Sequence, residues 1–180
     1  MCQRKGDSNV YDLFLSVVDI LIFVSSRLIT DETKLLKVKK LEPDAVLPRR
    51  GTKRSAGFDL HSGEDVKLLA KKRAVVKTSI AMELPQNTYG KISSRSGLAF
   101  HSNVFCFNGI LDQDFNSEIL LLMLNESDND FFIKKGDRIA QLIIQSYESN
   151  IEIKEVSELK KNQERNGKGF GSTGIRPLNK

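Results

Sequence analysis

Five short stretches combine turn-forming glycines with charged, hydroxyl or amide side chains: AGFDL (56–60), RSGLA (95–99), GILDQDF (109–115), GDRIAQL (136–142) and GKGFGSTG (167–174). Glycine lets backbone N–H groups approach an anion, and Arg, Ser and Gln add donors matched to phosphate oxygens. Each stretch taken singly is also ordinary β-turn chemistry, because Gly and Asp are routine hairpin residues. The last is not a Walker A phosphate loop: no Gly-Lys-Ser/Thr follows a first glycine at the required spacing, and no strand-to-helix context surrounds it. The dinucleotide fingerprint fails on the same context. What remains is a cationic, glycine-rich arm with Phe170 set between two glycines. Such an arm suits closing over a nucleotide, with Phe170 stacked on the base while Arg165, Ser172 and nearby N–H groups hold phosphate.

These stretches need a frame, and the hydrophobic pattern describes one. From residue 35 onward the chain runs in short alternating segments punctuated by Pro, Gly, Asn and Asp, with no further helical period, which predicts an all-β sandwich or barrel. Over 77–84, Thr78, Ile80, Met82 and Leu84 share one face, while Lys77, Ser79, Ala81 and Glu83 share the other, as in a half-buried strand. Residues 119–124 are apolar on both faces and are predicted to lie deep between two sheet layers. Residues 134–137 form the turn into a strand over 138–147, and a last strand is predicted over 151–156. Residues 157–180 are polar and glycine-bearing, with too little apolar surface to order themselves. The chain thus divides into an extension (1–34), a β domain (35–156) and an arm (157–180).

At 180 residues the chain suits one hydrophobic core plus an appendage. Residues 10–29 are its most apolar stretch and have membrane-like length. Asp12, Ser16 and Asp19, however, fall on one face of an otherwise apolar helix, which describes a docking or amphipathic helix, and no membrane span is expected. The net charge of +5 is compatible with a polyanionic partner. The basic residues are nevertheless scattered in short groups without an RNA-reading aromatic signature, so they read as solvated surface and no nucleic-acid partner is required. Cys2 and Cys106 supply neither a disulfide framework nor metal-ligand spacing, which points to a reducing compartment, cytoplasmic or nuclear. His61 and His101 stand apart from cysteine, and neither is assigned to zinc or catalysis.

In order and spacing the five stretches resemble the motifs of the trimeric dUTPase family, over about residues 35–174. The resemblance implies a distorted jelly-roll or β-barrel fold in a homotrimer with shared active sites. It implies hydrolysis of dUTP to dUMP and pyrophosphate with Mg²⁺, which limits uracil in DNA and supplies dUMP for dTMP synthesis. Asp112 matches the acidic residue that activates the water attacking the α-phosphorus, with Asp114 left a structural role. Gly109, Ile110 and Leu111 match the hairpin whose main chain reads uracil's edge, and Phe115 matches the ring packed against deoxyribose. Arg95, Ser96, Gly97 and Gln141 match phosphate contacts, and Asp59 matches the acidic residue that reaches magnesium through water. In the arm, Arg165 and Ser172 match contacts to the distal phosphates, and Phe170, followed by Gly171, matches the stacking lid.

The sequence departs from the family pattern in several places. Phe115 stands where tyrosine is usual. Asn116-Ser117 replaces Arg-Gly, and a serine there would strain a turn that needs positive φ. Asn166 and Lys168 occupy positions that are often glycine, and Ser93-Ser94 replaces Ala-Pro. The residues matched to water activation, phosphate contact and stacking are all present, so an active enzyme is expected. The related dCTP deaminase branch would share the β fold and deaminate cytosine instead, but the Asp112 context and the Phe170 arm favour dUTP cleavage. A non-catalytic nucleotide-sensing protein would keep the site's outline without turnover.

Overall fold

The structure, a computed structural model, describes residues 33–160. Its elements in order are β1 (Lys37–Lys40), β2 (Arg49–Arg50), β3 (Phe58–His61), β4 (Val66–Leu68), β5 (Arg73–Glu83), β6 (Thr88–Ser94), α1 (Ser96–Ser102), β7 (Val104–Cys106), β8 (Gly109–Leu111), β9 (Glu118–Asn125), β10 (Phe131–Ile133) and β11 (Arg138–Ser146). All pairings are antiparallel. They give a four-stranded sheet, β1-β5-β9-β7, a five-stranded sheet, β2-β3-β11-β6-β8, and the pair β10-β4. Alternation along the strands turns Val76, Ile80 and Met82 of β5 and Ile119, Leu121 and Met123 of β9 towards Leu60, Ile92 and Leu142 of the other sheet, forming one core. Each fully buried aliphatic side chain contributes about 1.5–3 kcal/mol, so this shared interior is what fixes the outward-facing residues of the five-stranded sheet.

The all-β expectation holds, but the sheets do not close into a barrel. The four-stranded sheet ends at β1 and β7 and the five-stranded one at β2 and β8, so neither ladder returns to its own first strand. The burial expected for residues 119–124 is also corrected. Ile119, Leu121 and Met123 are buried, but Leu120 is 50% exposed and Leu122 and Leu124 are only partly covered, because the second sheet covers one face alone.

In β5, Thr78, Ile80, Met82 and Leu84 are buried as their alternation predicts, yet Ser79 and Ala81 are buried too. The reason is a bulge: Ser79 has φ 55 and the pairing with β9 shifts between Lys77 and Ala81. Neighbouring segments take up the displaced ladder groups, Gly63 N–H donating to the Lys77 carbonyl and Leu41 N–H to the Ser79 carbonyl.

The helix α1 was not legible as a period, since seven residues make barely two turns. It ends at Asn103, left-handed at φ 51, whose N–H reaches the Leu98 carbonyl. Ser117 is not among the residues of positive φ, so the turn after Phe115 carries no such strain.

By its contacts the chain divides into Met1–Tyr147 and Glu148–Lys180. Residues 148–160 of the second unit are exposed and hold neither strand nor helix. The strand expected over 151–156 is therefore absent here. Its alternating apolar residues have the right pattern, but a strand exists only within a ladder, and no ladder is formed over these residues.

Candidate active site

The register of the five-stranded sheet builds one half of the site. Asp59 of β3 lies opposite Gln141 of β11, and Gln141 lies opposite Ser93 of β6. Directly opposed residues share a face. Their neighbours Leu60, Leu142 and Ile92 are buried, so Asp59, Gln141 and Ser93 form a row on the outer face. Gln141 Nε2 donates to the Ser94 carbonyl at 2.9 Å, which leaves a second amide hydrogen for an anion. The glycine of the first motif is explained by this side chain: a Cβ on Gly57 would stand 2.5 Å from Gln141 Oε1.

Arg95 follows β6 as the N-cap residue of α1, and it turns back over this row. Its Nε donates to Asp59 Oδ1 at 3.0 Å and its Nη1 to the Arg138 carbonyl at 2.9 Å. Arg138 Nη1 reaches the other Asp59 oxygen at 3.4 Å. The Asp59 side chain is 16% exposed and that of Arg95 25%, so the pair is partly shielded from water and holds a defined geometry. Ser96 and Gly97 follow in the first turn of α1, whose N–H groups have no acceptor within the helix, and nothing lies within 4 Å of where a Gly97 Cβ would be. His61, two residues beyond Asp59 on the same strand, is held below its ordinary pKa. Burial is the main cause, and the charges of Arg138, Arg95 and Arg49 act in the same direction against Asp59. His61 Nδ1 is buried without a hydrogen-bond partner. One carboxylate among several guanidiniums makes this an anion-directed surface.

The second half lies on the hairpin β8. Gly109, Ile110 and Leu111 pair with Ile92, Lys91 and Gly90, and Asp112 follows at an exposed position. Tyr89, Ile110, Asp112, Gln113, Asp114 and Tyr147 line an open hollow of about 710 Å³, so Asp114 faces the same space as Asp112. Gln113 fastens the hairpin: its Oε1 accepts from Asn87 N–H at 2.9 Å. Phe115 N–H donates to the Asp112 carbonyl at 3.1 Å, and its ring packs partly buried against the core.

The two halves are not together within one chain. Asp112 lies past the end of β8, about 13 Å along the strands from the level of Asp59 and about 14 Å across the three strand spacings from β8 to β3, or roughly 19 Å from Asp59 itself. Sequence reasoning also missed Arg138, which locks Asp59 from the far side, and Gln113, which anchors the hairpin. Both stand inside recognised motifs, and that was the available signal. Arg165, Phe170, Gly171 and Ser172 lie outside the described residues, as do Asn166 and Lys168.

An antiparallel β domain that presents a cationic row at one end of a sheet and a carboxylate-bearing hairpin at the other has the form of a protein that handles a phosphorylated ligand. Residues 44–174 match the dUTPase family model. The chain belongs to the dUTPase family. A deoxyuridine 5'-triphosphate nucleotidohydrolase of Paramecium bursaria Chlorella virus 1 is 43% identical over 140 residues, covering 78% of this chain and 98% of the relative. The enzyme of the same name from Oryza sativa subsp. japonica is 42% identical over 141 residues, covering 78% and 81%. Among solved structures, a mutant Staphylococcus bacteriophage 80alpha dUTPase with dUpNHpp aligns at a TM-score of 0.74 and 30% identity, covering 79% of this chain and 100% of that one.

Proposed function

We propose that this chain is a dUTP diphosphatase, hydrolysing dUTP to dUMP and pyrophosphate by attack of water at the α-phosphorus, and thereby limiting uracil in DNA and supplying dUMP for dTMP synthesis. The observation that carries the reading is the family match over 44–174, which takes in all five motif stretches. Asp112 accepts the proton of the attacking water, contributing on the order of 10²-fold or more to the rate. The main chain of Gly109, Ile110 and Leu111 reads the uracil edge. Phe115, seated on the core, fills the space that a 2′-hydroxyl would need. Arg95, Ser96, Gly97 and Gln141 hold phosphate, and the arm (157–180) brings Arg165, Phe170, Gly171 and Ser172 over the base and distal phosphates.

Magnesium fits this site only through water. Among the described residues no three His, Cys, Asp or Glu side chains gather into a metal cage. Asp59 spends part of each carboxylate oxygen on Arg95 and Arg138, keeping lone pairs for the hydration shell of an ion bound mainly by the triphosphate. Such an ion, when bound, offsets charge on the phosphates.

In this reading the working unit is a homotrimer of distorted jelly rolls with shared sites. The roughly 19 Å between Asp112 and Asp59 supports it, since no side chain spans that gap. So does the outer face of the four-stranded sheet, where Phe107 N–H bonds the Leu122 carbonyl and Leu122 faces Val75. Val75 is 56% and Phe107 63% exposed, an apolar patch suited to a second copy. No helix among the described residues is long and apolar enough to cross a membrane, and we assign the enzyme to cytoplasm or nucleus, in keeping with the free thiol of Cys106.

The test is a panel of dUTP, dCTP, dTTP and UTP with Mg²⁺, assayed for pyrophosphate and for ammonia. Pyrophosphate from dUTP alone is expected. Ammonia from dCTP, or no pyrophosphate from dUTP, overturns the reading.

A further inference from the structure

The outer row of the five-stranded sheet does not stop at Asp59. The edge strand β2 pairs Arg49 with Asp59 and Arg50 with Phe58. The Arg50 guanidinium lies 4.3 Å from the centroid of the Phe58 ring and donates to the carbonyls of Ser55 and Ala56, so this side chain is committed to the Phe58 face. Successive residues of a strand point to opposite faces. Arg49 therefore stands on the face that carries Asp59 and Gln141, extending the row to Ser93, Gln141, Asp59 and Arg49.

Its neighbours leave Arg49 available. Asp59 is already bonded by Arg95 at one oxygen and by Arg138 at the other, and the Arg49 guanidinium has no ion-pair or hydrogen-bond partner among the described residues. Arg49 is also exposed, at the open edge of the sheet. We infer that Arg49 is a further substrate-binding residue of this chain, a cation that holds the terminal phosphate of the triphosphate. The inference rests on the dUTPase reading above. A triphosphate laid along the row has one end that continues into the nucleoside, which must be enclosed to be read, and one end that is free. The inner end of the row is Ser93 on β6, a strand inside the sheet with β8 on its far side, so the free, most highly charged phosphate belongs at the open edge, where a planar guanidinium can bind it bidentately.

Arg49→Gln is compared with the parent and with Arg54→Gln, an exposed loop cation off the row. Expected for Arg49→Gln is a KM for dUTP raised about fivefold, the upper range for one exposed ion pair, with kcat within twofold. Product inhibition by pyrophosphate should weaken by the same factor, that by dUMP should be unchanged, and Arg54→Gln should match the parent. An unchanged KM, an equal effect of Arg54→Gln, or an equal weakening of dUMP overturns the assignment. Parent turnover of dUTP tests the functional reading separately. Should the parent release no pyrophosphate, calorimetric titration of pyrophosphate into parent and Arg49→Gln chains still decides whether Arg49 binds it.

Discussion

If the Asp59 row and the Asp112 hairpin of one chain serve different sites, two inactive chains must be able to repair one another. Asp112→Asn keeps the hairpin's shape and removes the base, and it should cut kcat by on the order of 10²-fold. Arg95→Gln leaves the hairpin intact and removes the guanidinium that bonds Asp59 and the Arg138 carbonyl. Each homotrimer then lacks one half at all three sites. Co-refolded in equal amounts, about three-quarters of the trimers are mixed, and a closed head-to-tail ring of two kinds of subunit contains one boundary where an intact row meets an intact hairpin. About one quarter of all sites is therefore rebuilt. Against backgrounds near one per cent, the mixture should show on the order of 25-fold more pyrophosphate release than either variant alone. The separation of roughly 19 Å between Asp112 and Asp59 within one chain is the reason to expect this. Activity that stays at background while native mass spectrometry shows mixed trimers would mean that row and hairpin come from the same chain, and the register argument would be wrong.

Gly57→Ala places a Cβ 2.5 Å from Gln141 Oε1 and 3.2 Å from Gln141 Cβ; it should cost about 1–3 kcal/mol of stability and raise KM for dUTP, as melting and steady-state kinetics will show, whereas an unaltered KM contradicts the close-approach account. Leu120→Lys combined with Leu122→Lys alters only the outer face of the four-stranded sheet, so circular dichroism should stay native while sedimentation shows monomers and turnover is lost; an intact, active trimer rules that face out as the interface. Burial pushes the Cys106 thiol up to about 12. The folded chain therefore holds this proton more tightly than the unfolded chain, and the resulting stability is complete below the ordinary thiol pKa and is lost as pH climbs towards 12. Mass mapping after alkylation at pH 8 should find the Cys106 peptide unlabelled in native protein and labelled in urea, and native labelling contradicts the burial.

Much of the fold was legible because period-two alternation records which face meets the core. Thr78, Ile80, Met82 and Leu84 are buried as their spacing demands. Alternation says nothing about what covers the second face of a strand apolar on both, and this is why 119–124 misled: Leu120 and Leu122 read as interior but lie on the face turned away from the second sheet. The Ser79 bulge was equally hidden, since it arises from loops around Leu41 and Gly63 taking over carbonyls of β5, contacts that no local pattern encodes. A strand over 151–156 was predicted from composition that a ladder could use, without a ladder to use it.

The site divides along the same line. Residue types and turn glycines marked Asp59, Arg95, Gln141 and Asp112 as chemically apt, because short motifs carry donors and acceptors in their own letters. Register decides which of them act together, and register is a long-range property: Asp59 meets Gln141 across 82 positions only because β3 and β11 are neighbours. If the row binds phosphate as proposed, that adjacency also explains why a carboxylate belongs in it at all. Arg49, Arg95 and Arg138 gathered on one face would repel each other and splay into solvent. Asp59 bonds two of them, fixing Arg95 in place ahead of substrate, yet its single charge leaves the cluster net positive. Arg95 is thus oriented before the phosphates arrive, which reduces the entropy lost on binding, and the unneutralised charge remains to attract them.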